Sequence, residues 1–137
     1  MHKNFTHNVK VYYEDTDAGG VVYYANYLKY LERARTEALS NIGLSNAKIK
    51  SDFGALIIVK SCNIEYKKSA HLEDDLQIKS FVASTSKTSF LMNQSIFKDK
   101  ELIVVAKIHL VFINEVFKPV KIPEKILSEF KPYTSSS

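Results

Sequence analysis

Apolar residues follow two rhythms along this chain. Val9, Val11 and Tyr13 alternate with Asn8, Lys10 and Tyr12, the period-two pattern of a half-buried strand. After Asn26 the period lengthens: Tyr27, Leu31, Ala34, Ala38 and Ile42 recur at helical spacing. Lys29, Glu32, Arg33 and Thr36 gather on another face, and Gly43 supplies a C-terminal stop. A polar link around Ser45 to Phe53 follows. Strand patterns then run over Ala55 to Lys67, Leu76 to Ser86, Thr88 to Lys98 and Leu102 to Asn114. Turn signals separate them at His71 to Asp75, at a bend or bulge near Ser86-Lys87, and at Lys98 to Glu101. Connections this short favour antiparallel neighbours. An early long helix followed by an antiparallel run predicts an α+β domain whose sheet curls round that helix.

Composition narrows the class. The chain has 137 residues, 45% of them hydrophobic, with eight Phe, eight Tyr and no Trp, enough for one domain with a real core. The segment Tyr133 to Ser137 has little to bury and is expected to fray, leaving a single domain over 1–132 and a flexible tail over 133–137. No run approaches the roughly 18 apolar residues needed to span a bilayer, and Met1 to His7 leads into no apolar signal core, so a cytoplasmic protein is expected. The lone Cys62 excludes an intramolecular disulfide and fits a reducing compartment. Its strand-like setting predicts a packed thiol rather than a nucleophile. The net charge is +4, but no basic run exceeds Lys67-Lys68 and no nucleic-acid motif accompanies it.

The chemistry concentrates between the first strand and the helix, in Tyr13-Glu14-Asp15-Thr16-Asp17-Ala18-Gly19-Gly20-Val21-Val22-Tyr23-Tyr24-Ala25-Asn26-Tyr27. A helix start presents backbone N–H groups without intrahelical partners and the positive end of the helix dipole. Such an end polarises a carbonyl or holds an oxyanion. Gly19 and Gly20 let a substrate approach the backbone and let the loop take positive φ. Asp17 is then placed to attack the polarised carbon, or to take a proton from an attacking water, while an N–H near Tyr24 stabilises the negative charge that develops. That is the logic of acyl-group hydrolysis. The same residues are also ordinary turn chemistry, since Asp and Gly dominate tight loops and Asp suits a helix start. An EF-hand reading of Asp15-x-Asp17 with Gly20 fails because the fifth position is Gly19 and the twelfth is Asn26. Gly19-Gly20 is too short for a phosphate-binding P-loop. His71 has acidic neighbours but no second His or Cys at ligand spacing, so no metal is expected.

Over Val11 to Glu37 these motifs, continued by Leu28-Lys29-Tyr30-Leu31-Glu32-Arg33-Ala34-Arg35-Thr36-Glu37, resemble the hotdog-fold acyl-CoA thioesterases. More narrowly, they resemble the group of 4-hydroxybenzoyl-CoA thioesterase and the thioesterases associated with the Tol-Pal system. The resemblance implies an antiparallel sheet wrapped around one long central helix, and hydrolysis of an acyl-CoA without a cofactor. It places the catalytic carboxylate at Asp17 and the carbonyl-polarising backbone N–H at Tyr24. It also implies homo-oligomers, dimers that often pair into tetramers with active sites at subunit interfaces, and a peripheral association with cell-envelope machinery. The Tol-Pal-associated members usually carry His where this chain has Tyr24, which removes a His-assisted mechanism but leaves the backbone role intact.

Substrate contacts are expected at Gly19 and Gly20, which form the close-approach loop, and at Asn26, which competes there with a packing role. By alignment with the hydroxybenzoyl branch, Lys87 is a candidate for the coenzyme A phosphates, with Lys118 and Lys121 as weaker ones. Asp15 is expected to shape the loop. Two other functions stay open: a hotdog 3-hydroxyacyl-thioester dehydratase, which would pair a His with its acid, and a non-catalytic acyl-CoA-binding or scaffold protein of the cell envelope.

Overall fold

The computed structural model describes residues 2–135. Its elements are β1 (Phe5–Lys10), α1 (Tyr24–Asn41), α2 (Asn46–Phe53), β2 (Leu56–Tyr66), β3 (Asp75–Thr85), β4 (Ser89–Lys98), β5 (Glu101–Ile113) and α3 (Glu124–Phe130). The five strands form one antiparallel sheet in the order β1-β3-β4-β5-β2. Alternate side chains of the central strands, among them Ile78 and Val82 on β3, Met92 and Ile96 on β4, and Ile108 and Phe112 on β5, are buried in one core with α1. This is the α+β hotdog architecture expected from the alternation of the strands and the single long helical stripe.

α1 is 18 residues long, about 27 Å at 1.5 Å per residue. It buries Tyr27, Tyr30, Leu31, Ala34, Ala38 and Leu39, and its two alanines bring its backbone close to the sheet. Gln94, fully buried on β4, ties the two layers together. Its amide nitrogen donates to the Leu31 carbonyl at 3.0 Å and to Ser80 Oγ at 3.1 Å, while its oxygen accepts from Arg35 Nη1 at 2.9 Å. A buried amide satisfied on both ends is costly to move, because any slip of the helix would strand it.

Four expectations need correction. The first strand occupies Phe5–Lys10 rather than Asn8 to Tyr13. Asp15 Oδ2 accepts the Tyr12 N–H at 2.9 Å, which turns the chain out of the ladder and leaves Tyr13 exposed in a single 3-10 turn. The link around Ser45 to Phe53 is the helix α2, started by Ser45 Oγ accepting the Lys48 N–H and stopped by Gly54 at φ +63°. Ile49 is its single buried residue, so it has no stripe for periodicity to reveal. The C-terminal segment does not fray from Tyr133 onward. The Tyr133 ring stacks on Phe5 with centroids 3.8 Å apart, and the Ser135 N–H donates to the Val82 carbonyl at 2.8 Å; residues 136 and 137 lie outside the described residues. Cys62, expected to be packed, is exposed on β2, because β2 is an edge strand and nothing covers its far side.

Candidate active site

Residues 15–23 fold into a miniature hairpin. The Tyr23 N–H donates to the Asp15 carbonyl at 3.1 Å, Thr16 bridges Val22, the Asp17 N–H donates to the Val21 carbonyl at 2.9 Å, and the Gly20 N–H closes the tip onto the Asp17 carbonyl at 3.0 Å. Gly20 takes φ +78°, a left-handed conformation that a side chain disfavours. One side of the hairpin is stitched to the segment before β3: the Val22 N–H reaches the Ala70 carbonyl at 2.9 Å, the Leu72 N–H reaches the Gly20 carbonyl at 3.2 Å, and Val21 bridges His71.

Asp17 stands exposed at the tip of this hairpin. Its Oδ1 accepts the Gly19 N–H at 2.8 Å, a charge-assisted bond that fixes the carboxylate over the loop. A Cβ on Gly19 would sit 3.3 Å from that oxygen, so the glycine makes room for the carboxylate as well as for any substrate. Asp15, buried at the base, accepts from Tyr12 N–H and shapes the loop as expected. Beside it, burial first and the Asp15 carboxylate second push the Tyr30 phenol well above its ordinary range. The Tyr30 hydroxyl meets no hydrogen-bond partner at acceptable geometry, so its contact with Asp15 is electrostatic.

The hairpin delivers the chain to the start of α1. Tyr23 is the N-cap, and the Asn26 N–H already folds back to the Tyr23 carbonyl at 2.9 Å. The N–H groups of Tyr24 and Ala25 meet no acceptor among the described residues, which leaves the positive end of the helix open. Asn26, for which packing the helix start and touching substrate were both open, uses its side-chain amide to hold the Asp15 carbonyl at 2.8 Å. Tyr27 is buried, and its hydroxyl accepts the Ala70 N–H at 2.9 Å. Burial raises its phenol, with that hydrogen bond opposing.

A cavity of about 210 Å³ opens at this helix start, lined by Val22, Tyr24, Tyr27, Tyr66, Lys67, Lys68 and Ser69. The Tyr66 ring lies 5.3 Å from that of Tyr24 and 5.5 Å from that of Tyr27. Sequence reasoning missed Tyr66 and the two lysines as neighbours of the site; an aromatic residue ending a strand beside a lysine pair was the available signal. Lys67 pairs with Glu65 at 2.7 Å and Lys68 with Glu101. Lys87 is not brought to this place. It sits in the turn between β3 and β4, where its carbonyl accepts the Ile122 N–H at 2.9 Å. The hairpin lies at the other end of β3, an 11-residue strand about 35 Å long. Lys118 and Lys121 lie at the same distant end, beyond Ile113.

Comparison with known proteins agrees with the fold. Residues 11–130 match the family model described as the thioesterase-like superfamily. The chain is 38% identical over 125 residues to the acyl-CoA thioester hydrolase YbgC of Escherichia coli, covering 90% of this chain and 92% of that one. It is 32% identical over 131 residues to the acyl-CoA thioesterase YbgC of Haemophilus influenzae, covering 95% and 96%. Among solved structures, the 1,4-dihydroxy-2-naphthoyl-CoA thioesterase of Synechocystis superposes with a TM-score of 0.86 at 26% identity, covering 93% of this chain and 96% of that chain. The chain therefore belongs to the thioesterase-like superfamily, as a hotdog thioester hydrolase.

Proposed function

We propose that this protein hydrolyses acyl-CoA thioesters to a carboxylic acid and free coenzyme A, with Asp17 as nucleophile or general base and the Tyr24 backbone N–H as the carbonyl polariser. The observation that carries the reading is the open start of α1, with its unpartnered N–H groups beside an aromatic-walled cavity, and a fixed carboxylate on the hairpin that leads into it. As an oxygen nucleophile adds to the thioester carbon, charge gathers on the carbonyl oxygen, where the helix start offers a preorganised donor that needs no rearrangement. The C–S bond then breaks: with Asp17 as base, the proton it took from the attacking water passes to the departing thiolate, and with Asp17 as nucleophile, water then cleaves the acyl anhydride to give the acid, restore the carboxylate and supply that proton. Gly19 and Gly20 keep the approach to Asp17 open. The helix-end donor is a main-chain group, so it operates with Tyr24 where the Tol-Pal-associated members carry His.

The same reading includes assembly into dimers or tetramers and a cytoplasmic location. Within one subunit Lys87 lies too far from Asp17 to meet the same coenzyme A, so any phosphate contact it makes is with a substrate bound by another copy. Thiol release from short-chain, long-chain and hydroxybenzoyl-CoA substrates tests the function. Native turnover that falls about 100-fold or more in a folded Asp17→Asn variant fits a carboxylate in the chemical step; equal activity in the variant would send the search to another group. An enoyl thioester that retains its coenzyme A would identify a dehydratase instead.

A further inference from the structure

The two most exposed pure-hydrocarbon side chains among the described residues stand next to each other. Val116 and Phe117 are 68% and 73% exposed, in the turn that follows β5, at the end of the sheet away from the 15–23 hairpin. The turn is tightly framed. Ile113 bridges Pro119, the Asn114 N–H donates to the Lys118 carbonyl at 2.9 Å, and the Phe117 N–H donates to the Asn114 carbonyl at 3.0 Å. The Asn114 side chain closes it from within, where Oδ1 accepts the Val116 and Lys118 N–H groups, each at 3.0 Å. This frame holds both apolar side chains out in solvent.

Phe117 is unfavourable here on two counts. Its φ is +61°, a left-handed conformation that glycine adopts easily and a bulky side chain does not. Its ring also lies in water. Glycine would relieve both, and folding alone would favour it. An aromatic ring kept at a strained and solvated position points to a task outside the fold.

The charges round the tip say what it meets. Lys118 follows Phe117 directly, and Lys87 in the turn between β3 and β4 is tied through its carbonyl to the N–H of Ile122, next to Lys121. All three lysines are exposed. Lys121 approaches Glu124 at 3.9 Å, an exposed pair that water and salt weaken; Glu115 is the acid of the turn itself. An apolar pair beside flexible cations matches the interface of an anionic bilayer. Hydrocarbon enters the headgroup layer while the lysine stems let their ammonium groups stay at the level of the phosphates. A second copy of the same tip would bring the same lysines back, and like charges would oppose that contact.

We propose that the tip over Asn114–Lys118 docks this protein on anionic phospholipid surfaces, with Val116 and Phe117 inserted below the headgroups and Lys87, Lys118 and Lys121 on lipid phosphates. The contact is weak and reversible, since two apolar side chains and three lysines fall well short of a permanent anchor. The inference goes beyond the thioesterase reading and does not depend on it, because docking is measured without turnover.

The chain has no tryptophan, so in Phe117→Trp all indole emission comes from the tip. With vesicles of phosphatidylglycerol and phosphatidylcholine in equal parts, that emission should shift to the blue and become shielded from acrylamide. Coenzyme A alone should leave it unchanged. Cosedimentation of the native protein with the same vesicles should weaken as salt is raised. It should fall at least about tenfold in Phe117→Ala and in the double variant Lys118→Gln, Lys121→Gln, each checked for native circular dichroism. Native cosedimentation of Phe117→Ala would mean adsorption through net charge elsewhere and overturn the proposal. So would indole emission that stays water-like on vesicles that pellet the protein. A blue shift that grows with protein concentration without lipid would assign the tip to a second copy, and a response to coenzyme A but not to vesicles would assign it to the substrate; either result overturns the docking.

Discussion

The two edges of the sheet are finished in opposite ways. β1 is six residues long and is closed off: Phe5 lies under the Tyr133 ring, the Lys3 N–H donates to the Pro132 carbonyl at 2.8 Å, and Thr134 bridges the neighbouring Val82. β2 is nearly twice as long, and eight of its 11 residues are exposed. A chain that spends its C-terminal turn sealing one edge while leaving the longer, more apolar edge bare has separated two tasks. The sealed side holds the fold together, and the bare side leaves a long row of main-chain groups and apolar side chains open to another strand.

Placing a charge on the bare edge should have the largest effect. In a dimer paired through this edge, Val59→Lys brings two like charges together, costing several kcal/mol of association. Gel filtration should find monomers, and thioester hydrolysis should fall about 100-fold while the chain stays folded. A dimer of native activity would mean that β2 is not the interface. On the sealed side the effects should reverse. Tyr133→Ala removes the ring over Phe5 and should cost about 2 kcal/mol of stability, read as a lower denaturation midpoint, with assembly and turnover of the folded enzyme unchanged.

Substitutions near the hairpin should be smaller still. Gly20→Ala forces a side chain into positive φ, although nothing lies within 4 Å of the added methyl. The strain should therefore appear as about 1 kcal/mol of stability and not as a blocked site. Last comes the anchor between the hairpin and β3. Burial acts to raise the Asp74 carboxyl, but the His71 N–H at 2.8 Å and Lys98 at 3.0 Å outweigh it and hold it below the usual carboxylate range. A depressed folded pKa gives stability that is present above the unfolded value near about pH 4 and drains away as pH falls through the folded one. Melting curves taken from pH 6 down to pH 2 should thus fall more gently for Asp74→Asn than for the native protein; parallel curves would remove Asp74 from the account.

The strands and α1 were legible because each has a repeating burial pattern. β2 to β5 begin and end within two residues of the expected limits. α2 and α3 were not legible, since a helix that buries one or two side chains leaves no periodic trace. The early strand was misplaced because Val11 and Tyr13 continue its alternation in sequence, while the bond between Asp15 and Tyr12 N–H ends it in space. At the site, Asp17, Gly19, Gly20 and Tyr24 lie in one contiguous motif and could be read directly. Tyr66 could not, for it meets the loop only through sheet register. Asn26 and Tyr27 were visible as residues of the helix start, but only the fold could show the bonds by which they tie it to Asp15 and Ala70.

The hairpin over 15–23 is pinned almost wholly by main-chain hydrogen bonds. Tyr23 at its end and the flanking Tyr13 and Tyr24 are exposed, Tyr24 to 67%, and their hydroxyls make none of these bonds. The protein thus separates what must stay from what can drift. Mutation can repaint the rim of the pocket one residue at a time, altering which acyl groups are welcome, while the carboxylate and the helix-end donor keep their positions. A lineage built on such a chassis can change diet without rebuilding its engine.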